Sequence, residues 1–279
     1  MIPENPEHPI ETQGSSQAEN GLPLAEAKKK MKSLTRRSLV WTAIAVVFAD
    51  QGWKWLASRR QENGIPWPMA IALRTNEEIA RDLFNEHALA KEYPKSSEED
   101  VIDNGDIGRP ESENSSPWKI TVSDDNWDHD MHFTMADILS LPKVEMTTEL
   151  RCIEGWSRIV SWGGCRLVDF MKAHPPSSRT SSAIDFRNFA TLPEYVSITT
   201  PDDDYYVGLD VTSAIHPQTL LCYEMNGKPL EPKHGAPLRL VIPTKYGIKN
   251  IKWIGAITYT DTRPDDYWAD QGYDWYAGL

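Results

Sequence analysis

The chain contains 279 residues, carries a formal net charge of −12 at pH 7, and is 40% hydrophobic with eleven tryptophans. This length and hydrophobic content are enough for one large folded core or two modest ones. The acidic balance argues against a nucleic-acid-binding protein, because such proteins use basic surfaces to neutralise phosphates. An acidic surface suits a cationic partner and does not restrict the fold.

The first 60 residues have the composition of a disordered segment followed by an export signal. Residues 1–27 are polar and rich in Pro and Glu, and too few of them are apolar to form a core. The apolar run at residues 39–49 is too short to span a bilayer, which needs about 20 residues, but fits a signal peptide. Arg36 and Arg37 directly precede it and are similar to a twin-arginine signal. We expect a periplasmic protein, anchored to the inner membrane by this segment if it is uncleaved; a short amphipathic or buried helix is the alternative.

Residues 61–117 are predicted to form a helix and a long loop that pack on the core. Thr75 and Glu78 have the spacing of a capping box, and apolar residues then recur at helical spacing until Pro94. Residues 95–117 are rich in Ser, Asp, Glu, Asn, Gly and Pro, which is typical of a loop.

Residues 118–279 are predicted to form the core domain. Short helices are expected at residues 134–139, capped by Thr134 and Asp137, and at 166–173, and Asn226-Gly227 is typical of a tight hairpin turn. Strands are predicted on both sides of Cys152 and at residues 118–122, 195–199, 205–211, 220–225, 238–242 and 251–259. Because helices are few and do not alternate with strands, the expected fold class is α+β with a strand-rich mixed sheet.

Cys152 is the candidate for metal chemistry. It follows a strand-like segment and precedes Glu-Gly-Trp-Ser, and no second cysteine has the spacing of a zinc site or a redox dithiol. Thiolates are soft ligands that suit redox metals. A buried structural thiol is the alternative. An odd number of cysteines leaves at least one unpaired in an exported protein, and whether Cys165 and Cys222 are bridged is left open.

Two further segments have simpler explanations. Residues 128–132, Asp-His-Asp-Met-His, have a metal-like composition but fit a solvated acidic loop. The Trp-rich tail at residues 268–275 is expected to pack over the edge of the core, with a docking surface for an electron-transfer partner as the alternative.

Three blocks of the sequence resemble the molybdenum-binding core of the sulfite oxidase family. The first surrounds Cys152 at residues 149–157. The second runs from Asn-Gly-Lys-Pro-Leu at residues 226–230 to His-Gly-Ala-Pro-Leu-Arg-Leu-Val-Ile-Pro at 234–243, and the third is Lys-Tyr-Gly-Ile-Lys-Asn-Ile-Lys-Trp-Ile at 245–254. Their order and spacing are those of the family, and the bacterial periplasmic protein-methionine-sulfoxide reductases are its most similar branch.

The resemblance implies a strand-rich mixed-sheet domain that binds a molybdenum-molybdopterin cofactor. Cys152 would be the metal ligand and the catalytic residue. The positions that match contacts to the pterin or its phosphate are Asn76, Thr200, His234, Arg239, Asn250, Ile251 and Lys252. A phosphate needs fixed N–H donors and cations, which Arg and Lys supply; a solvated strand charge is the alternative for both. Lys249 lies three residues from Lys252, so at most one of them need face the cofactor, and the resemblance favours Lys252.

Asn76 departs from the family pattern, because the aromatic residue that family members place near this Asn is missing. Asn76 could instead be a residue at a helix N-terminus. The immunoglobulin-like and haem-binding domains of eukaryotic sulfite oxidases have no counterpart, so a single cofactor domain is expected.

The implied function is oxo transfer or two-electron redox chemistry on a sulfur-containing substrate of the sulfite or sulfoxide type. Electrons would be exchanged with a cytochrome or a membrane haem protein, since the sequence has no flavin or haem motif. The motifs do not separate the two reaction directions, because the metal-binding core is shared. The alternatives are a pterin-binding protein without catalysis and a membrane-anchored interaction module.

Overall fold

The computed structural model describes residues 41–42, 44–62, 64–85, 87–110 and 118–279. Contacts divide the chain into two units, with the boundary between Arg59 and Arg60. In the first unit, residues 41–57 apart from residue 43 form helix α1. The described helices include none with both the length and the apolar character needed to cross a membrane. The twin-arginine motif at Arg36 and Arg37 lies outside the described residues.

The second unit begins with a short hairpin and a long helix: β1 (Gln61–Glu62), β2 (Ile65–Pro66) and α2 (Trp67–Leu83). The predicted helix start at Thr75 was wrong, because Pro66 is the N-cap and a proline stands in the first turn, where its missing N–H costs nothing. Inside α2, the buried Glu77 accepts hydrogen bonds from Arg81 Nη2 at 2.9 Å and Arg263 Nη2 at 2.7 Å. The bond from Arg263 fastens α2 to the chain that follows the last strand, and the bond from Arg81 lies within the helix.

The core consists of ten strands and four short helices. In chain order they are β3 (Lys119–Asp124), β4 (Met131–Thr134), α3 (Met135–Leu139), β5 (Lys143–Arg151), β6 (Ser157–Arg166), α4 (Leu167–Ala173), β7 (Tyr195–Thr199), β8 (Tyr206–Asp210), α5 (Val211–Ala214), β9 (Leu220–Met225), β10 (Lys228–Pro229), β11 (Arg239–Val241), β12 (Ala256–Thr260) and α6 (Tyr267–Asp270). One sheet has the order β10-β9-β6-β5, with β11 also paired to β9, and the other has the order β4-β3-β12-β7-β8. Strands β3 and β12 are parallel, and the other pairs are antiparallel. The predicted α+β class is confirmed.

The two sheets enclose the larger hydrophobic cluster. It includes side chains of β3, β7, β8 and β12 together with helices α3 and α4, among them Ile120, Ile198 and Phe170. A smaller cluster around Trp162 covers the other face of the first sheet. Cys165 pairs with Leu221 and Cys222 with Gly164, so the two thiols face opposite sides of this sheet. Both are buried and neither is in a disulfide.

In the core, the most specific local sequence patterns predicted the strands, the hairpin turn and the helix cap correctly. The strands at residues 195–199 and 220–225 begin and end as predicted. Asn226 and Gly227 have φ of 49° and 72°, as a two-residue hairpin turn requires, and join β9 to β10. The cap of α3 is also confirmed, since Asp137 Oδ2 accepts hydrogen bonds from the Thr134 amide and hydroxyl, both at 2.7 Å.

The last predicted strand was wrong at its start. Strand β12 begins at Ala256 rather than residue 251, because Trp253 has a left-handed φ of 53° that interrupts the extended run. The residues before it bond to β11 instead: the Leu240 amide donates to Ile251 O at 2.9 Å, and the Ile254 amide donates to Leu238 O at 3.0 Å. This irregular segment forms part of the wall of the cavity described below.

Candidate active site

A cavity lies where the end of β5 meets the loop at residues 101–107, the segment before β12 and helix α6. The protein-free space there is about 930 Å³, including its opening to solvent. Six of the predicted site residues line it: Cys152, His234, Arg239, Asn250, Ile251 and Lys252. Residues distant in sequence therefore converge on one site.

The turn between β5 and β6 holds Cys152 at this cavity. The Cys152 amide donates to Trp156 O at 2.9 Å, and the Gly155 amide donates to Cys152 O at 3.1 Å. Gly155 has a φ of 91°, which a residue with a side chain adopts only with strain. This closed turn leaves Cys152 8% exposed at the cavity wall.

Two polar side chains contact the thiol. Asn104 Nδ2 donates a hydrogen bond to Cys152 Sγ at 3.4 Å. Glu154 Oε2 lies 3.7 Å from the same sulfur and accepts a hydrogen bond from Trp156 Nε1 at 2.9 Å. Burial raises the pKa of Cys152, and the neighbouring Glu154 carboxylate acts in the same direction. The group is therefore a neutral thiol until a cation binds, since a coordinating thiol loses its proton to the metal.

The opposite wall is cationic. Arg239 is buried on β11, where Nη1 donates to His234 O at 3.0 Å and Nη2 donates to Asn250 O at 3.2 Å. Its Nε is also buried and has no hydrogen-bond partner among the residues that the structure describes. Burial lowers the pKa of Arg239 to about 10, so the side chain remains a cation at neutral pH. A buried cation with a free N–H group is suited to an anionic ligand.

Lys252 and His234 stand beside Arg239. Lys252 Nζ donates to Gly105 O at 2.6 Å and to Lys233 O at 3.1 Å, which ties the loop at residues 101–107 to this wall. Burial, followed by the charge of Arg239, lowers the pKa of Lys252 to about 8. The same two causes, in the same order, lower the pKa of His234.

Asn250 and Ile251 shape the wall between these cations. Asn250 Oδ1 accepts a hydrogen bond from the Ile242 amide at 2.9 Å, and its Nδ2 donates to Tyr246 O at 3.2 Å. The Asn250 side chain is thus occupied in holding its own segment in place. Ile251 is buried and presents an apolar surface to the cavity.

The residues present fit a cofactor with a soft metal at one end and an anionic group at the other. No cluster of three or more His, Cys, Asp or Glu side chains arranged for a metal ion occurs in the described ranges, the stretch at residues 128–132 included. A metal at Cys152 would therefore take its remaining ligands from a non-protein group. Arg239 Nε is free to donate to that group's anionic end, and Lys252 and His234 lie beside it.

Two predicted site residues lie away from the cavity. Asn76 is exposed in the middle of α2 and lines a separate groove with Phe84 and Thr244. Thr200 is buried beside Gly108, where an added Cβ would lie 2.4 Å from Thr200 Cγ2. Thr200 thus supports the loop that walls the cavity, and the structure does not bring Asn76 to the site.

Sequence reasoning missed several residues of the cavity wall. Asn104 lies 48 residues before the thiol it contacts, in a segment predicted only as a loop. Trp156, Tyr205 and Trp268 also line the cavity, and their shared signal was aromatic character near the predicted blocks. Lys249 turns away from the site: its Nζ is buried against Asp266 Oδ2 at 2.5 Å and Gly208 O at 2.8 Å.

Comparison with known protein families gives a match over more than half of the chain. Residues 107–268 match the family described as oxidoreductase molybdopterin binding domain. The sulfane dehydrogenase SoxCD from Paracoccus pantotrophus, a solved structure, aligns at a TM-score of 0.43 and 14% identity over 64% of this chain and 46% of that one.

Two curated relatives are both described as protein-methionine-sulfoxide reductase catalytic subunits. The protein-methionine-sulfoxide reductase catalytic subunit MsrP of Campylobacter jejuni is 33% identical over 217 residues, which is 74% of this chain and 67% of the relative. MsrP of Xanthomonas campestris is 37% identical over 164 residues, which is 56% of this chain and 48% of the relative. The chain thus spans about two thirds of one relative and about half of the other. By its family match, this chain belongs to the oxidoreductase molybdopterin-binding domain family, as its resemblance to the sulfite oxidases predicted.

Proposed function

We propose that this protein is a molybdenum-cofactor oxidoreductase that removes the oxygen atom from a sulfoxide. The observation that carries the proposal is a single cavity with the Cys152 thiol on one wall and the cations Arg239 and Lys252 on another. The names of the two curated relatives, both protein-methionine-sulfoxide reductase catalytic subunits, support the sulfoxide direction.

Each residue has a defined part in this proposal. Cys152 would be the protein's ligand to the metal, and Arg239, Lys252 and His234 would hold the anionic end of the pterin. When bound, the cofactor supplies the two-electron redox chemistry that the side chains lack. Asn104 donates its hydrogen bond to the ligand sulfur and fixes the orientation of the thiolate.

Charge beside the thiol favours a neutral sulfoxide over sulfite. Glu154 places a carboxylate 3.7 Å from Cys152 Sγ, and a negative charge beside the proposed metal ligand repels an anionic substrate. Trp156 and Trp268 give the cavity an aromatic lining, which suits the methyl and methylene groups beside the sulfur of methionine sulfoxide.

The electrons would come from a separate haem protein, and the protein would work in the periplasm. Arg36 and Arg37, before the apolar run at residues 39–49, support export by the twin-arginine route. Replacing both by lysine should leave the protein in the cytoplasm, as cell fractionation would detect. Export at the wild-type level would exclude this route.

The decisive experiment uses protein purified from a host that makes the molybdenum cofactor. We expect about one molybdenum atom per chain by mass spectrometry, and oxidation of reduced benzyl viologen when methionine sulfoxide is added. Sulfite with ferricyanide as acceptor is the opposite reaction and should give little turnover.

The matched control is Cys152→Ser, a nearly isosteric change that removes the soft ligand. It should lose activity while its thermal unfolding stays close to that of the wild type. Metal-free wild-type protein from the same host would contradict the proposal. A metal-loaded protein that turns over only sulfite would support the cofactor assignment but show that the substrate is sulfite and not a sulfoxide.

A further inference from the structure

Four aromatic side chains form a continuous row from the cavity to the protein surface. Tyr205 and Trp268 line the cavity. The ring centroids of Tyr205 and Tyr267 are 5.1 Å apart, those of Tyr267 and Trp268 are 5.6 Å apart, and those of Trp268 and Tyr273 are 5.1 Å apart. Tyr273, at the outer end, is 45% exposed. We call these four residues the aromatic row.

The aromatic row is held in a fixed position. Tyr205 OH donates to Ile248 O at 2.6 Å, within the segment that walls the cavity. Beside the row, Tyr206 OH donates to Asp270 Oδ2 at 2.6 Å and joins the start of β8 to helix α6. At the outer end, the Tyr273 amide donates to Trp268 O at 2.9 Å, so the backbone of Tyr273 is tied to the preceding ring residue of the row.

Carboxylates flank the row along the chain, before Tyr205 and on both sides of Tyr267 and Trp268. The exposed aspartates on the β7–β8 turn and around α6 are Asp202, Asp203, Asp204, Asp265 and Asp270. No cation of the described residues forms a salt bridge with any of these five. Two of them act on Tyr206, whose ring centroid lies 6.0 Å from that of Tyr267 in the row: the hydrogen bond to Asp270, burial and the charges of Asp270 and Asp265 raise the pKa of Tyr206 to about 12. An aromatic centre within an unneutralised acidic rim is complementary to a basic protein face.

We propose that this surface is the docking face for a one-electron haem protein with basic residues around its exposed haem edge, and that the aromatic row carries electrons into the cavity. The inference rests on the proposed function, and it identifies the surface at which the electron donor of that function would bind. Electron tunnelling slows steeply with distance, so a close-packed row of rings gives the shortest non-solvent route. In each turnover two ferrous haems become ferric, and their two electrons with two protons convert one sulfoxide to a thioether and one water.

An oxidised protein substrate is the competing occupant, and the structure favours the haem protein. A sulfoxide-bearing segment needs only to reach the cavity mouth, and its sequence has no fixed charge pattern. A folded haem protein with a basic face matches an acidic rim of fixed geometry and gains a faster encounter from it.

The test measures binding of cytochrome c, a small basic haem protein, to the full-length oxidised holoenzyme without substrate. Asp204→Lys with Asp265→Lys should weaken this binding about tenfold or more, and the wild-type affinity should fall as salt is raised. Neither carboxylate accepts a hydrogen bond from a residue in the described ranges, so the fold should be retained.

Two controls accompany this test, and the first has the same charge change. Asp128→Lys with Asp130→Lys reverses two exposed carboxylates in the β3–β4 turn, at the other end of the second sheet, and should change the affinity less than twofold. Acetylated cytochrome c, whose lysines are neutralised, should bind weakly to every variant. Equal losses from the two reversal pairs, or equal binding of the acetylated protein, would overturn the assignment.

A kinetic arm tests the aromatic row itself. Tyr273→Ala should slow re-oxidation of ferrous cytochrome c by the enzyme several-fold, and Tyr273→Phe should not, because the ring is kept. The reduced-viologen rate with free methionine sulfoxide needs no docking and should be unchanged in both.

These arms separate the two proposals. If the wild-type enzyme shows no viologen-driven turnover, the proposed function is wrong, whereas cytochrome binding would persist. If the Asp204 and Asp265 reversals instead impair reduction of an oxidised protein and spare cytochrome binding, the surface belongs to the protein substrate.

Discussion

The hydrogen bonds at the two ends of the cavity join residues that are separated by very different distances along the chain. At the cationic end, Arg239 donates to His234 and Asn250, which lie 5 and 11 residues away in sequence. At the thiol end, Asn104 donates to Cys152 across 48 residues. The contacts of Arg239 therefore form a local motif that a sequence pattern can contain, whereas the contact to the thiol exists only after the loop at residues 101–107 has packed.

The two ends also differ in charge before any ligand binds. Burial leaves Arg239 a cation at neutral pH, although its pKa is lowered to about 10. Burial keeps Cys152 protonated by raising its pKa. The anion-binding end is thus preformed, whereas the metal-binding end gains its charge only with the metal. The following predictions test this difference, from the largest expected effect to the smallest.

The largest effect is expected at the thiol. Cys152→Ser should reduce viologen-driven turnover to background, because a serine hydroxyl is a hard and weakly acidic ligand. The pterin content, measured by fluorescence of the released and oxidised pterin, should fall much less than the activity, since the cationic end is intact. Equal loss of both would mean that the thiol also holds the organic part of the cofactor.

At the cationic end, Arg239→Met should lower the pterin content by about 10- to 100-fold. It should also destabilise the fold by roughly 1–3 kcal/mol, because the carbonyls of His234 and Asn250 lose their donor. Arg239→Lys keeps the charge and should recover part of the pterin.

The matched control is Lys249, a buried cation nearby that does not face the cavity. Lys249→Met combined with Asp266→Asn removes that ion pair without leaving a lone buried charge. The folded fraction should keep its pterin content. A loss as large as that of Arg239→Met would show that buried cations act here through stability alone.

A smaller effect is expected from the residue that positions the sulfur. Asn104→Ala should lower kcat about tenfold with little change in metal content, because only a hydrogen bond to the ligand is lost. Asn104→Asp should be worse, since a carboxylate near a thiolate is repulsive. The electron paramagnetic resonance spectrum of the molybdenum should shift in both variants. An unchanged spectrum would mean that Asn104 only packs the loop.

The smallest effect concerns Lys245, which is 2% exposed and has no hydrogen-bond partner for its Nζ among the described residues. Burial lowers its pKa well below the ordinary value, so between the two values the unfolded chain binds one more proton than the folded one. The stability of the wild type should therefore rise with pH in that window.

Lys245→Met should remove this slope and raise the free energy of unfolding at pH 7 by roughly 1–3 kcal/mol. Urea unfolding at pH 7 and pH 9 measures both effects, and the gain should be smaller at pH 9. A destabilised variant would show that the contact of Nζ with the Tyr276 ring, 2.8 Å from its centroid, outweighs the burial.

Short-range patterns in the sequence determined much of the core. The Asn226-Gly227 turn, the Thr134 cap and the strands at residues 195–199 and 220–225 depend on backbone preferences of neighbouring residues, and the structure confirms them. The family blocks likewise contained the residues of the cationic wall, because the hydrogen bonds of Arg239 join residues close in sequence. The start of α2 was misjudged since Thr75 and Glu78 fit a cap equally well inside a helix that Pro66 had already begun.

Only the tertiary structure decided which residues share the cavity. Asn76 and Asn104 are both asparagines before the first core strand, and nothing local distinguishes them, yet one lies on an exposed helix and the other contacts the thiol. The aromatic row likewise depends on the tail folding back along β8. Such contacts are set by how sheets and loops pack, which is a property of the whole chain and leaves no periodic signal in any short segment.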